Sequence, residues 1–223
     1  MKITIALIIA CIVVFALIGS YSSYKQNEIF EKFGFSGKNL QEGRLWTPIT
    51  SIFLHGSLTH LIFNVVALFF FGKSLENNIR PYKYLLVFFS GGIVGNLVSL
   101  AFYPSSELFV GASGAIFAVM GMVMLADPFE LSFYPYIIPV PIALVGVVYT
   151  IYTMFAFLFG GDPNVAYTAH LGGLVVGILF GLRNTSIKGI LSVIALFIIL
   201  LALPVIFNFL GMFDYSGLIS ALF

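Results

Sequence analysis

Four polar side chains stand in otherwise apolar stretches of this chain: Ser113, His170 and the pair His60 and Asn64. A polar group in hydrocarbon is costly, so it is kept where it is paired or where it does work. A hydroxyl, two imidazoles and an amide are the components of acyl transfer: a nucleophile, a base for its proton, and donors for an oxyanion. His60 and Asn64 are four residues apart and share one helical face. Their bland alternative is hydrogen bonding between helices, and that of Ser113 is a bond to a carbonyl of its own helix. Ser113 does not lie in the G-x-S-x-G elbow of soluble hydrolases, so that fold is not implied. A third histidine, His55, reads as structural. No carboxylate or thiolate is expected at the level of the histidines and H-E-x-x-H is absent, so neither a metal nor a cofactor is expected.

These residues need elements to hold them, and the composition says which. Of 223 residues, 60% are hydrophobic and 9% charged, where a soluble domain carries about 25% charged residues. Mean hydropathy of +1.08 places the chain in the membrane class. The net charge of +1 gives no reason to expect a nucleic-acid partner. The single cysteine, Cys11, excludes an intrachain disulfide. The apolar run from Ile3 to Ile18 resembles a signal peptide but is long for one and ends without an A-x-A site, so a retained helix is expected. Apolar stretches near residues 3–20, 56–72, 82–103, 113–126, 141–160, 166–182 and 187–210 predict an all-α bundle of seven spans. Residues 21–54 read as an ordered loop on the membrane face.

With the N-terminus in the cytoplasm, the inner breaks carry Lys2, Lys73, Arg80, Lys83, Arg183 and Lys188. The outer breaks carry Glu107, Asp162 and Asp214, with cations only in the first loop (Lys25, Lys32, Lys38, Arg44). The inner break holding Asp127 and Glu130 has no cation and departs from the rule. His60 precedes Lys73 by 13 residues, Ser113 precedes Asp127 by 14 and His170 precedes Arg183 by 13. At about 1.5 Å per residue the three share one depth, roughly 20 Å above the inner boundary. The fourth span is short, so residues 104–112 must dip into the membrane as irregular backbone, which is tolerated only within protein or beside water. Gly173, Gly177 and Gly181 form one small-residue face and Gly114, Ala118 and Gly121 another. Packed together, they would bring serine and histidine into reach; Gly111 is grouped with these packing glycines. Tyr149, Tyr152 and Phe155 read as lipid- or core-facing aromatics.

The motifs around these residues are similar to those of one family. Gly111-Ala112-Ser113-Gly114 resembles the G-x-S-G motif of rhomboid intramembrane serine proteases, and Ala169-His170-Leu171-Gly172-Gly173 with Gly177 resembles their A-H-x-x-G-x-x-x-G. His55, His60 and Asn64 fit the histidine-rich start of the family's second helix, and Glu76 matches an acidic residue after it. Two positions depart: Thr47 follows Trp46 where many members have arginine, and Phe117 stands where many have tyrosine.

The resemblance implies a six-helix protease core over residues 1–183, with an additional transmembrane helix in 184–223. It implies a Ser113–His170 dyad, an oxyanion site of the Ser113 backbone N–H with Asn64 and His60, and Phe117 stacked on the imidazole. Substrates would be single-span membrane proteins, admitted laterally past the second and fifth spans, with the loop at Gly160-Gly161-Asp162-Pro163 as a lid. The expected setting is the cell membrane, with the site opening to the extracytoplasmic face and the oligomeric state open. One alternative is a non-catalytic relative that binds membrane-protein clients, although such proteins lack the serine or the histidine. A transporter would require repeated halves, which the sequence does not contain.

Overall fold

The computed structural model describes residues 1–134, 138–163, 165–183 and 185–209. Seven long helices dominate it: α1 (Lys2–Gly19), α5 (Leu58–Asn78), α6 (Pro81–Ser99), α7 (Ser113–Ala126), α8 (Ile142–Phe159), α9 (Tyr167–Leu182) and α10 (Ile187–Phe209). Three short helices, α2 (Ser23–Phe33), α3 (Gly37–Gln41) and α4 (Thr47–Thr50), occupy the first loop, and a hairpin of β1 (Leu131–Tyr134) and β2 (Ile138–Pro141) joins α7 to α8. The fold is the all-α bundle that the apolar stretches predict. Residue 210, the expected end of the seventh span, and Asp214 lie outside the described residues. α1, α5 and α8 are long and apolar enough to cross a membrane, while α7, α9 and the stretch Ile187–Leu203 of α10 are shorter apolar helices.

Local signals start and stop these helices. Ser57 caps α5, its hydroxyl accepting from the His60 N–H at 3.1 Å, and Pro81 opens α6 after an extended Arg80. The second span continues past Lys73 to Asn78, so Glu76 lies within α5 rather than after it. Its carboxylate accepts from the backbone N–H groups of Ile3 and Thr4, both at 2.9 Å, and from the Thr4 hydroxyl at 2.7 Å. An anion at the unsatisfied N–H groups of α1 is a favourable placement, and it ties the first two spans together at one end. The hairpin was not visible in the sequence, where residues 127–140 read only as an inner break. Glu130, left without a cation there, accepts a hydrogen bond from the Ser74 hydroxyl of α5.

α7 is the central helix. Every residue from Gly114 to Leu125 is buried, with α9, α6, α5 and α8 around it. Its tightest contact is with α9. A Cβ on Gly173 would run into the Gly114 carbonyl, and one on Gly177 into the Ala118 carbonyl. Backbones this close are possible only with small residues, and in lipid such packing replaces the missing hydrophobic drive between helices.

The irregular segment before α7 is satisfied by the first loop. Phe35 and Phe109 exchange backbone hydrogen bonds at 3.0 and 2.7 Å, Lys38 N–H donates to Ser105 O at 2.7 Å, and Gly111 N–H donates to Ser51 O at 2.9 Å. The loop is itself cross-braced. Asn39 Nδ2 donates to the carbonyls of Glu31 and Gly34, Arg44 to the Glu31 carbonyl, and Trp46 Nε1 to the Lys32 carbonyl at 3.2 Å. Trp46 and Arg44 therefore act on the backbone separately, without being adjacent in sequence.

Gly177→Leu forces α9 away from α7, and overpacking of this kind costs about 1–3 kcal/mol. Thermal unfolding of the purified protein in detergent should show the loss, while a leucine at Gly19, where the structure leaves open space on an ordinary helical backbone, should cost less.

Candidate active site

The α7–α9 contact sets the positions of the two central residues. Ser113 is the first residue of α7, and His170 sits one turn into α9. His170 Nε2 lies 2.8 Å from Ser113 Oγ, a hydrogen bond between spans 57 residues apart. The imidazole is flanked on two sides. The Phe117 ring stacks on it with centroids 4.5 Å apart and planes 10° from parallel, and Tyr167 meets it edge-on at 6.1 Å and 84°. A phenyl ring at position 117 thus makes the stacking contact without a hydroxyl.

Ser113 is also where the helix presents donors. As the first residue of α7 its N–H has no carbonyl one turn back within the helix, and the positive end of the helix dipole lies there. The two α5 side chains converge on the preceding loop. A Cβ on Gly111 would sit 2.6 Å from His60 Nε2 and 3.7 Å from Asn64 Nδ2. Gly111 has φ +120° and precedes α7. Its grouping with the helix-packing glycines is therefore corrected: it is a loop residue with a backbone that side chains rarely adopt, held bare beside His60 and Asn64. Gly114, Gly173 and Gly177 do pack helix against helix. In this state Asn64 Nδ2 donates to the His60 carbonyl of its own helix at 3.1 Å.

Two positioning residues were not singled out in the sequence. The Ser51 carbonyl holds the Gly111 N–H, and Asn96 of α6 holds Ser51, its Nδ2 donating to Ser51 Oγ at 3.0 Å and to the Pro48 carbonyl at 3.2 Å. Asn96 stands in a helix with no motif around it; its one signal is an amide in an apolar stretch, the same signal that marked Asn64.

His55 does not join the dyad. It packs edge-on against His60 with centroids 5.1 Å apart and is fully buried, its Nδ1 3.3 Å from the Phe53 carbonyl and its Nε2 without a hydrogen-bond partner among the described residues. Burial, with the His60 imidazole beside it, lowers its pKa to about 4. Among the described residues no cluster of His, Cys, Asp or Glu could hold a metal ion.

Comparison with known proteins adds an independent finding. The Rhomboid domain model matches residues 42–187, more than half of the chain. The chain is 30% identical over 178 residues to RHOMBOID-like protein 12, mitochondrial, of Arabidopsis thaliana, covering 69% of this chain and 50% of that protein. It is 25% identical over 187 residues to the rhomboid protease GlpG of Haemophilus influenzae, covering 84% of this chain and 93% of GlpG. It is also 30% identical over 143 residues to Inactive RHOMBOID-like protein 8 of Arabidopsis thaliana, covering 64% of this chain and 39% of that protein. The chain thus spans half the length or less of the two plant relatives and nearly all of the bacterial one.

Two outcomes follow from this geometry. Gly111→Val places a side chain against His60 and Asn64 on a strained backbone, and thermal unfolding of the variant in detergent should show a loss of about 1–3 kcal/mol. The His55 pKa is depressed in the fold, so its contribution to stability is complete above the unfolded value of about 6.5 and is lost as pH falls toward 4. Thermal unfolding of the protein and of His55→Gln, measured across that range, should show a smaller acid loss in the variant.

Proposed function

Because the chain belongs to the rhomboid family, we propose that it is an active intramembrane serine endopeptidase, with Ser113 as nucleophile and His170 as general base. It is a multi-pass membrane protein, and its substrates are membrane proteins cut in or near their transmembrane segments. The observation that carries the reading is the 2.8 Å contact between Ser113 Oγ and His170 Nε2. The relative named inactive supports a second reading, a client-binding protein without catalysis. Against it, this chain keeps both the serine and the histidine, in contact.

In the reacting state His170 is neutral with its proton on Nδ1, and Ser113 donates its hydroxyl proton to Nε2 as Oγ attacks the scissile carbonyl carbon. The carbonyl π pair moves onto oxygen. That oxyanion is met by the Ser113 N–H, by Asn64 Nδ2 turned from its helix carbonyl, and by His60. His170 returns the proton to the leaving amine as the C–N bond breaks. A water, its proton taken by His170, then attacks the acyl ester; as that second oxyanion collapses, the C–Oγ bond breaks and His170 returns the proton to Ser113 Oγ. Among the described residues no carboxylate is bonded to His170, and Phe117 and Tyr167 hold the ring by packing instead.

A substrate helix reaches the site from the bilayer between α5 and α8. α8 packs on α7, α9 and α10 but scarcely on α5. α5 exposes Ile62 and Phe63 and α8 exposes Phe155 and Phe159, apolar surface suited to lipid or to another apolar helix. In this reading the N-terminus is cytoplasmic and the site opens to the extracytoplasmic side of the cell membrane, an orientation supported by the cations of the inner breaks.

The test is cleavage of a model single-span substrate by the protein reconstituted in liposomes. Ser113→Ala and His170→Ala should abolish it. Asn64→Ala should lower the rate about 10²–10³-fold with the fold intact, and His60→Ala should lower it less. Undiminished cleavage by Ser113→Ala would refute the proposal.

A further inference from the structure

Residues 127–141 are the inner break that carries no lysine or arginine, and they fold as the β1–β2 hairpin. Its level in the bundle is fixed from α5. Ser74 donates its hydroxyl to Glu130. The neighbour of Ser74 is Lys73, one of the cations that mark this end of the bundle, together with Arg80, Lys83, Arg183 and Lys188. The hairpin therefore lies at the membrane boundary, at the far end of α7 from Ser113.

Its two faces differ. Leu131 pairs with Pro141, Ser132 with Val140 and Phe133 with Pro139, and successive residues of a strand point to opposite faces. Val140 packs against the core. Leu131 and Pro139 belong to the opposite face and are exposed, Leu131 at 61%. Phe129, just before the strand, is exposed at 68%. The backbone edge is unusual too. Ile142 N–H donates to Glu130 O at 2.9 Å and continues the ladder, so the N–H groups of Ile138 and Val140 face β1. The positions facing outward are Pro139 and Pro141, which have no N–H to leave unpaired. An open sheet edge is excluded from hydrocarbon but not from the headgroup region. A two-stranded hairpin with water on both faces is only marginally stable.

We propose that the exposed face of this hairpin is a lipid-binding surface, seated at the boundary between phospholipid headgroups and acyl chains. Continuity with the lipid-facing surface of the bundle identifies the occupant. β2 runs from Pro141 directly into α8, where Val148 continues the exposed apolar surface of a multi-pass membrane protein. The composition fits the same partner. Cations hold a loop out among phosphates, whereas uncharged apolar and aromatic residues settle at the boundary. Glu130, the acid next to β1, is engaged by Ser74. The departure of this break from the charge rule is then the mark of a segment that inserts. The proposal does not rest on the protease reading.

The test uses the full chain in phosphatidylcholine liposomes. Trp46→Phe removes the only tryptophan, and Leu131→Trp or Phe129→Trp in that background reports from the hairpin. Lipid brominated near the glycerol end of its chains should quench either reporter about twofold. Lipid brominated near the methyl end should quench less, and acrylamide on both sides of the membrane should quench little. Strong acrylamide quenching with no effect of bromine places the face in water and overturns the proposal. Protection from both quenchers means that a protein covers the face, a second copy included, and overturns it equally. The unsubstituted protein gives an independent reading. A phospholipid with a photoreactive group near its glycerol should label peptides from residues 128–141, and labelling of α8 that stops short of them overturns the proposal even where a tryptophan variant fails to fold.

Discussion

The structure depends on how closely α7 and α9 approach. A serine hydroxyl and an imidazole are each expensive in an apolar bundle, and each becomes tolerable when it finds the other. That requires two helix backbones nearer than ordinary side chains permit. Gly173 against the Gly114 carbonyl and Gly177 against the Ala118 carbonyl make the approach possible, and the 2.8 Å dyad contact sits at the end of that seam. The packing that holds the bundle together is therefore the packing that assembles the proposed catalytic pair. A substitution that loosens the seam affects stability and chemistry at once.

The second constraint is irregular backbone beside that seam. Starting α7 at Ser113 puts unpaired helix-terminal N–H groups where an oxyanion would form, but it leaves residues 104–112 without a helix to satisfy them. The first loop supplies the missing partners through Phe35, Lys38 and Ser51. Ser51 is in turn held by Asn96 from α6. A loop remote in sequence thereby fixes Gly111, the residue on which His60 and Asn64 converge. The braces from Arg44, Trp46 and Asn39 to neighbouring carbonyls belong to the same support.

Much of this was legible in the sequence, for definite reasons. Polar residues in apolar stretches are few, so Ser113, His170, His60 and Asn64 stood out, and the four-residue spacing of glycines on α9 announced a close helix contact. The fourth span was read as 113–126 and forms over Ser113–Ala126, since apolar sequence in a bundle has little choice but helix. What was not legible depends on tertiary partners. Gly111 looks like any packing glycine until its φ of +120° is seen beside His60. Asn96 lacks a motif, Glu76 shows its role only once α1 is placed against it, and the β1–β2 hairpin is written in a segment whose prolines argue against strand.

The two flanks of the site differ in kind, and the difference bears on how such a site could work. α7 is buried along its length and α9 is locked to it through backbone contacts, so the dyad has little freedom to shift. α8 meets α7 through the Met124 and Met120 side chains at Gly146 and exposes most of its last six residues. A scissile bond in a transmembrane helix must be unwound and delivered to a serine that does not move, so motion is needed and must be confined to the flank. The contrast between a seam of glycines and a helix end resting on phenyl rings meets that need. Side-chain contacts can break and re-form at modest cost, while interdigitated backbones cannot part without opening the core. Under the proposed function, precision at Ser113 and access past α8 would fall to different kinds of packing within one bundle.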